Sequence, residues 1–121
     1  MPEFIAEPTR VPVPGGKTID EYVGRVRTND EAVSIADMHA PAGWSEPAQT
    51  PDFDEFTLVL SGELQVVSDA ETLHVRAGQA VITRQGERVR YHTTEGARYI
   101  AVCMPAFSLD LVHRDPDPLP E

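Results

Sequence analysis

The 121-residue sequence is poor in cysteine, in long apolar runs and in positive charge, and each shortage excludes a class of protein. Cys103 is the only cysteine, so no disulfide can form within the chain, which suits a reducing cytoplasm. No basic, apolar leader follows Met1, and no apolar run approaches the roughly 20 residues that cross a bilayer, so we expect neither a secretory signal nor a membrane span. A net charge of -10 argues against nucleic acid or an anionic membrane as partner.

What remains is typical of one soluble domain built from strands. The chain is long enough to bury a core, and 40% of its residues are hydrophobic. From Phe53 onward, Gly- and Asp-containing turn signals recur roughly every eight to twelve residues, which predicts an antiparallel sandwich or barrel. The predicted strands are residues 22–27, 33–38, 64–67, 73–75, 80–83, 89–93 and 98–104, and a single helical turn is expected near 108–113.

The stretch FDEFTLVLSGEL, residues 53–64, organises this pattern. It predicts a β-strand, a tight turn at Ser61-Gly62 and a return strand that begins at Glu63. Side chains alternate across a strand, so Glu55 and Thr57 share one face with Phe53, opposite the face of Phe56. One carboxylate on a mostly apolar strand suggests a barrel wall with a polar feature at its mouth, where small-molecule sites are common.

We divide the chain into an N-terminal arm with the first strand (residues 1–30), a barrel (31–107) and a C-terminal extension (108–121). The proline-rich residues 1–16 cannot form a helix or a central strand. They are expected to form an extended arm over the barrel or over a second subunit, or else a frayed terminus. An arm of this kind suits a homodimer.

Residues 32–107 resemble the cupin family, the small barrels of the double-stranded β-helix or jelly-roll type. The family's first motif ends in a Glu and, seven positions on, a Gly, which are Glu55 and Gly62 here. Its second motif runs between two glycines, which match Gly78 and Gly86. The resemblance implies an all-β, single-domain cupin barrel.

The family's metal ligands are mostly missing from these motifs. In metal-binding cupins an HxH pair precedes the Glu, and those positions fall on Gln49 and Pro51 here, or one residue earlier. A third His would stand at Val89, so Glu55 alone remains of the four usual ligands. We therefore expect no metal in the family's usual place and no cofactor. The alternative is a non-standard metal site of Gln49, Glu55 and His92.

The candidate catalytic residues are Glu55, Tyr91 and His39. Without a metal, burial would raise the pKa of the Glu55 carboxyl toward neutrality and suit it to proton transfer. Tyr91 shares the inward face of its predicted strand with Val89 and could polarise a substrate oxygen. His39, at the start of a long loop, could point into the mouth as an acid or base, or lie at the surface. The competing interpretation of Glu55 is a structural ion pair with Arg90 or Arg98.

Substrate-binding positions are expected on the same inner face and on the loop before it: Trp44, Gln49, Phe53, Thr57 and Val89. Metal-free cupins include bacterial dehydratases, isomerases and cyclases, so the resemblance implies a metal-independent acid–base enzyme with a small-molecule substrate. A non-catalytic ligand-binding or sensing module is the alternative from another class. A metal-dependent oxygenase or isomerase with displaced ligands is the third possibility.

Overall fold

The computed structural model of the protein describes residues 1–115, so the last six residues of the predicted C-terminal extension lie outside the described part. The described chain is nearly all β, which confirms the predicted fold class. Its elements are β1 (Thr9–Val11), β2 (Thr18–Val23), β3 (Ser34–Ala40), β4 (Asp54–Val67), β5 (Thr72–Arg76), β6 (Ala80–Thr83), β7 (Arg90–His92), β8 (Ala97–Met104) and α1 (Leu109–Val112). No helix within residues 1–115 is both long and apolar enough to cross a membrane.

Strand β4 is the centre of the barrel because it belongs to two sheets. Its first half pairs with β6 on one side and with β8 on the other, and the sheet continues from β8 through β3 and β2 to β1. Its second half pairs with β5 and β7. All these pairings are antiparallel. Buried residues of both sheets, among them Met38 and Tyr91, belong to one hydrophobic core.

The turn predicted at Ser61-Gly62 is wrong, because β4 continues through it as one strand of 14 residues. Ser61 and Gly62 still pair with β8, opposite Arg98 and Ala97, after a register shift that follows Val59. Gly62 has a φ of +75°, a conformation that side chains disfavour. The Ser-Gly pair is therefore a bulge that passes the strand from one sheet to the other.

The first strand also lies elsewhere than predicted: β2 covers residues 18–23, whereas residues 24–28 form turns. The Glu21 side chain accepts hydrogen bonds from the backbone N–H groups of Val26 (2.9 Å) and Arg27 (2.8 Å). Gly24 has a φ of +151°, and the carboxylate of Glu21 packs against its Cα. Val26 and Arg27 thus lie outside the sheet, because the buried Glu21 carboxylate accepts the hydrogen bonds that their backbone N–H groups would otherwise donate to a neighbouring strand.

The N-terminal arm lies on its own barrel. Strand β1 pairs with β2 through a hairpin whose connection contains Gly15 and Gly16, and Val11 and Val13 pack against the core. The homodimer remains a prediction. At the other end, the expected helical turn is present as α1, where the Ser108 hydroxyl accepts from the backbone N–H of Asp110.

The predicted alternation in β4 is confirmed before the bulge. Thr57 and Val59 are fully buried, whereas Leu58 and Leu60 are 45% and 41% exposed on the outer face. Glu55 is buried with the inner set. The fold therefore places a carboxyl group in the barrel interior.

Candidate functional site

Glu55 projects from β4 into the interior, with neutral groups as its hydrogen-bond partners. The Thr57 hydroxyl donates to Oε2 at 3.3 Å, and the Cys103 thiol on neighbouring β8 lies 3.8 Å from Oε1. Burial raises the pKa of Glu55 to about 7; the charge of Lys17 opposes that rise, and the charge of Glu46 adds to it. At neutral pH this carboxyl group can both give and accept a proton.

The two arginines considered as partners of Glu55 are engaged elsewhere. The Arg90 guanidinium donates a hydrogen bond to the Ser45 hydroxyl. The Arg98 guanidinium binds both oxygens of Asp37, at 3.1 and 2.9 Å. Within residues 1–115, Glu55 has no ion pair within 4 Å, so the structure does not support the interpretation of Glu55 as half of a structural Arg pair.

Tyr91 reaches the vicinity of Glu55 from the opposite sheet. Its hydroxyl donates to the Thr83 hydroxyl at 3.0 Å, and Thr83 stands directly opposite Glu55 in the pairing of β4 with β6. Burial and the nearby Glu55 charge raise the pKa of Tyr91 well above its usual value, so its phenol stays protonated. The structure thus brings two of the three predicted catalytic residues together, through Thr83.

His39 is not brought to this group. It lies within β3, where its neighbours Met38 and Ala40 face inward and its own side chain is 52% exposed. Its Nε2 is 3.5 Å from Asp37 Oδ1 on the outside of the barrel. The prediction treated residue 39 as the first of a loop; because the strand continues to Ala40, alternation turns the imidazole outward.

The predicted binding residues differ in what they line. Trp44 is buried at the barrel mouth, and Thr57 lies beside Glu55. Gln49 and Val89 exchange backbone hydrogen bonds of 2.8 and 2.9 Å, which attach the loop after β3 to the chain entering β7. Phe53 packs edge-to-face on Phe107 in a separate apolar cluster, with ring centroids 6.1 Å apart, so it supports the barrel from behind Glu55 rather than lining the mouth.

The non-standard metal set of Gln49, Glu55 and His92 is not assembled either. His92 alternates away from the inward Tyr91, and its Nε2 lies 3.4 Å from the Thr94 hydroxyl. In the part of the chain that the structure describes, no three His, Cys, Asp or Glu side chains are grouped so that they could hold a metal ion.

Lys17 is a site residue that the sequence reasoning missed. It follows the Gly15-Gly16 turn of the arm, and its ammonium lies 4.5 Å from the centroid of the Trp44 ring and 5.4 Å from that of Tyr99. Burial alone would lower the pKa of Lys17, but Tyr99 and Glu46 outweigh burial and raise it, so the group is an ammonium ion at neutral pH. A signal was available: this is the only lysine in the chain.

Glu46 is the second residue missed, and it follows Trp44 by two positions in the loop. Its side chain is 7% exposed, and its Oε2 is 3.7 Å from an Arg114 nitrogen. Burial raises the pKa of Glu46, against the charges of Lys17 and Arg114. A carboxylate in a Pro-flanked loop usually faces solvent, so only the packing of that loop on the barrel mouth reveals this position.

A pocket of about 190 Å³ opens at this end of the barrel, between the arm, the loop and Arg114. Its walls are mainly apolar, and Lys17, Glu46 and Trp44 stand among them. Glu55 and Tyr91 are not part of these walls and lie deeper in the barrel. The charges of Lys17 and Glu46 nevertheless act on Glu55, so the mouth and the deeper groups form one electrostatic unit.

Glu55 makes the stability of the protein depend on pH. Its folded pKa is about 7 against an ordinary value of 4.5, so the unfolded chain ionises first as the pH rises. The group contributes nothing to this dependence below its unfolded pKa. It then costs stability progressively up to about pH 7, by about 3 kcal/mol in total.

The variant Glu55→Gln removes this dependence. We expect its free energy of unfolding, relative to the unsubstituted protein, to rise by about 3 kcal/mol between about pH 4 and about pH 8, as measured by urea unfolding. Glu71→Gln, at an exposed carboxyl group in the β4–β5 turn, is the control and should show no such rise. A Glu55→Gln difference that is constant with pH would contradict the raised pKa.

Comparison with known sequences places this chain in a family. Residues 28–108 match the family described as ethanolamine utilisation protein EutQ. A curated relative from Myxococcus xanthus, named endoribonuclease YbeY, is 43% identical over 107 residues, which are 87% of this chain and 36% of that protein. Acetate kinase EutQ of Escherichia coli is 32% identical over 57 residues, which are 47% of this chain and 24% of that protein. The chain thus spans about a third and a quarter of the two relatives' lengths.

Solved structures share the fold at low sequence identity. An RmlC-like cupin from Shewanella frigidimarina superposes with a TM-score of 0.72 at 14% identity, covering 86% of this chain and 89% of that one. The polyketide cyclase RemF from Streptomyces resistomycificus superposes with a TM-score of 0.69 at 18% identity, covering 86% and 78%. The barrel is therefore a cupin double-stranded β-helix, and the chain belongs to the EutQ family.

Proposed function

We propose that the protein is a metal-independent acid–base enzyme for a small molecule, of the dehydratase, isomerase or cyclase type. One observation carries the proposal: a buried carboxyl group, Glu55, has no ion-pair partner within 4 Å in residues 1–115 and has a pKa of about 7. Such a group is matched to proton transfer at neutral pH, which contributes roughly 10²–10⁴-fold to catalysed rates.

The surroundings of Glu55 support this role. The Thr57 hydroxyl orients the carboxyl group, and the Tyr91 phenol, held by Thr83, is a protonated donor on the far side. Glu55 would take a proton from the substrate and return it to another atom. Tyr91 would turn its one hydroxyl proton from Thr83 to the substrate and so donate a hydrogen bond. At the positions where related cupins place metal ligands, Pro51 and Val89 offer no donor side chain.

The activities named for the relatives are less well supported by this chain. Acetate kinase and endoribonuclease activities both handle phosphate groups, and each name belongs to a protein at least twice as long as the matched part. The cyclase among the structural neighbours is compatible with the proposal but shares only the fold.

A non-catalytic ligand-binding module is the second candidate, and the shape of the pocket favours it. Glu55 and Tyr91 lie behind the pocket walls rather than in them, so a ligand could occupy the mouth without reaching either group. Under this alternative the buried carboxyl group would tune the affinity of the pocket and would not react.

Solvent exchange separates the two candidates. Chelator-treated protein in D₂O, incubated with pyruvate, acetoacetate or dihydroxyacetone, is expected to exchange the protons next to a carbonyl of at least one compound, read by proton NMR. Trp44 is the only tryptophan and lies in the pocket, so its fluorescence reports binding independently. A compound that binds saturably and exchanges none of its protons would favour the binding module.

A further inference from the structure

The ammonium of Lys17 occupies an unusual position in the barrel mouth. It lies against the faces of Trp44 and Tyr99, at 4.5 and 5.4 Å from the ring centroids, and lines the pocket beside Glu46. Within residues 1–115 it forms no ion pair of 4 Å or less. Its charge is thus enclosed by aromatic rings and balanced only at a distance by carboxyl groups.

Tyr99 adds a second donor to this position. Its side chain is among the most deeply buried in the protein, and its hydroxyl oxygen lies beside the Lys17 ammonium, with no other hydrogen-bond partner in the described residues. Because an ammonium group can only donate, the Tyr99 hydroxyl proton still lacks an acceptor, and a buried donor without an acceptor costs roughly 1–3 kcal/mol. This proton is therefore available to an oxygen atom of a ligand. Burial also raises the pKa of Tyr99 to about 12, which keeps its proton in place.

We propose that Lys17 and Tyr99 hold the anionic oxygen of an enolate, and that the substrates are small carbonyl compounds with an acidic C–H beside the carbonyl group. This inference rests on the proposed function, because it supplies the charge that Glu55 as base would generate. The pocket of about 190 Å³ admits the substrate beside Lys17, and the acidic C–H must reach past the pocket wall to Glu55, which lies deeper in the barrel. The pocket has room for roughly six water-sized groups, and its mostly apolar walls favour a short carbon chain.

The step balances with groups that the protein holds. The Glu55 carboxylate takes the proton from the carbon beside the carbonyl group, and the C–H electron pair forms the new carbon–carbon double bond. The carbonyl π pair moves to oxygen, where the Lys17 ammonium and the Tyr99 hydroxyl stabilise the negative charge. In a substrate with a β,γ double bond, return of the proton from Glu55 to the γ-carbon restores the carbonyl group, moves the double bond into conjugation with it and gives isomerisation. Transfer of the proton to a departing β-hydroxyl group gives dehydration.

Lys17 acts here as a cation and not as a nucleophile. Its raised pKa leaves little free amine at neutral pH, so it is poorly suited to form an imine with a carbonyl compound. Borohydride added during turnover is therefore expected to leave the protein mass unchanged. A mass increase on Lys17 would overturn the electrostatic role.

The decisive experiment compares ethane nitronate with nitroethane by calorimetry. The nitronate imitates an enolate, and nitroethane differs from it by one proton. We expect the protein to bind the nitronate at least about tenfold more tightly, and Lys17→Met to lose that preference. Glu55→Gln should increase the preference, because the ionised carboxylate that repels the nitronate becomes neutral. Arg10→Met removes a cation from the same arm, 61% exposed and paired with Asp20, and should change nothing.

Tyr99→Phe is a second variant that tests the same site if Lys17→Met fails to fold. It keeps the ring and removes only the hydroxyl group beside the Lys17 ammonium, so the variant should fold and bind the nitronate severalfold less tightly. A Lys17→Met variant that folds and keeps both the preference and the exchange rate would overturn the inference, yet leave the proposed function intact. The opposite outcome is a preference for the nitronate that depends on Lys17, with no proton exchange in any carbonyl compound that binds. That outcome would overturn the proposed function and leave the anion site intact.

Discussion

Glu55→Gln is expected to lower the exchange rate of any substrate by roughly 10²–10⁴-fold while leaving the barrel folded. Glutamine has the shape of glutamate, and its amide oxygen can still accept from the Thr57 hydroxyl 3.3 Å away. What is lost is the ability to carry a proton. Exchange rates measured by NMR, together with thermal unfolding of the same sample, separate lost chemistry from lost structure.

The pH dependence of the exchange rate separates a catalytic from a structural role of Glu55, because a purely structural carboxyl group would not set that dependence. Glu55 must be ionised to act as base, so the rate at low substrate concentration should rise with pH and level off above about pH 7, following the pKa of that carboxyl group. Glu71→Gln should keep both the rate and the profile. A Glu55→Gln variant with an unchanged rate would reject Glu55 as the proton carrier.

Glu46 is a competing base, because it lines the pocket and burial also raises its pKa. Glu46→Gln should change substrate affinity more than the limiting rate, since Glu46 balances the charge of Lys17 rather than meeting the reacting carbon. If Glu46→Gln abolished exchange and Glu55→Gln did not, the catalytic roles of the two carboxyl groups would be reversed.

The sequence predicted the parts of the molecule that depend on local pattern. Strand β6 was predicted with its observed bounds, and the inward positions of Glu55 and Thr57 follow from alternation within one regular strand. Tyr91 and Glu55 were both predicted to face the interior. Alternation was not applied to His39, because the predicted strand ends at Met38 and places that histidine in a loop, whereas β3 continues to Ala40.

The two site residues that the sequence did not predict, Lys17 and Glu46, lie outside the regular strands. Lys17 belongs to the hairpin of the arm and Glu46 to a proline-flanked loop, and neither segment has a periodicity that orients its side chains. Their places at the mouth result from packing of Trp44 and Val13 on the barrel, which is long-range information. The candidate site therefore combines residues from regular strands, whose orientation the sequence predicts, with residues from the arm and the loop, whose orientation it does not predict.

Gly62→Ala is expected to cause the largest loss of stability among the substitutions considered. A β-carbon built on Gly62 would lie 2.0 Å from the carbonyl oxygen of Gly96, a backbone atom that cannot rotate away. The φ of +75° adds strain of roughly 1 kcal/mol for any residue with a side chain. The overlap must be relieved by moving β4 away from the β7–β8 turn, and we expect a total cost of at least about 3 kcal/mol.

Gly78→Ala is the matched control, since it isolates strain from overlap. Gly78 has a φ of +82°, close to that of Gly62, but no atom lies within 4 Å of its added β-carbon. Gly78→Ala should lower the free energy of unfolding only by the backbone strain of roughly 1 kcal/mol, as measured by urea unfolding. The dependence of that free energy on urea concentration should stay unchanged. Equal losses for the two variants would mean that β4 does not pass close under the Gly96 carbonyl. A much larger loss at Gly62 would support the bulge, rather than a hairpin turn, as the feature that carries β4 from one sheet into the other.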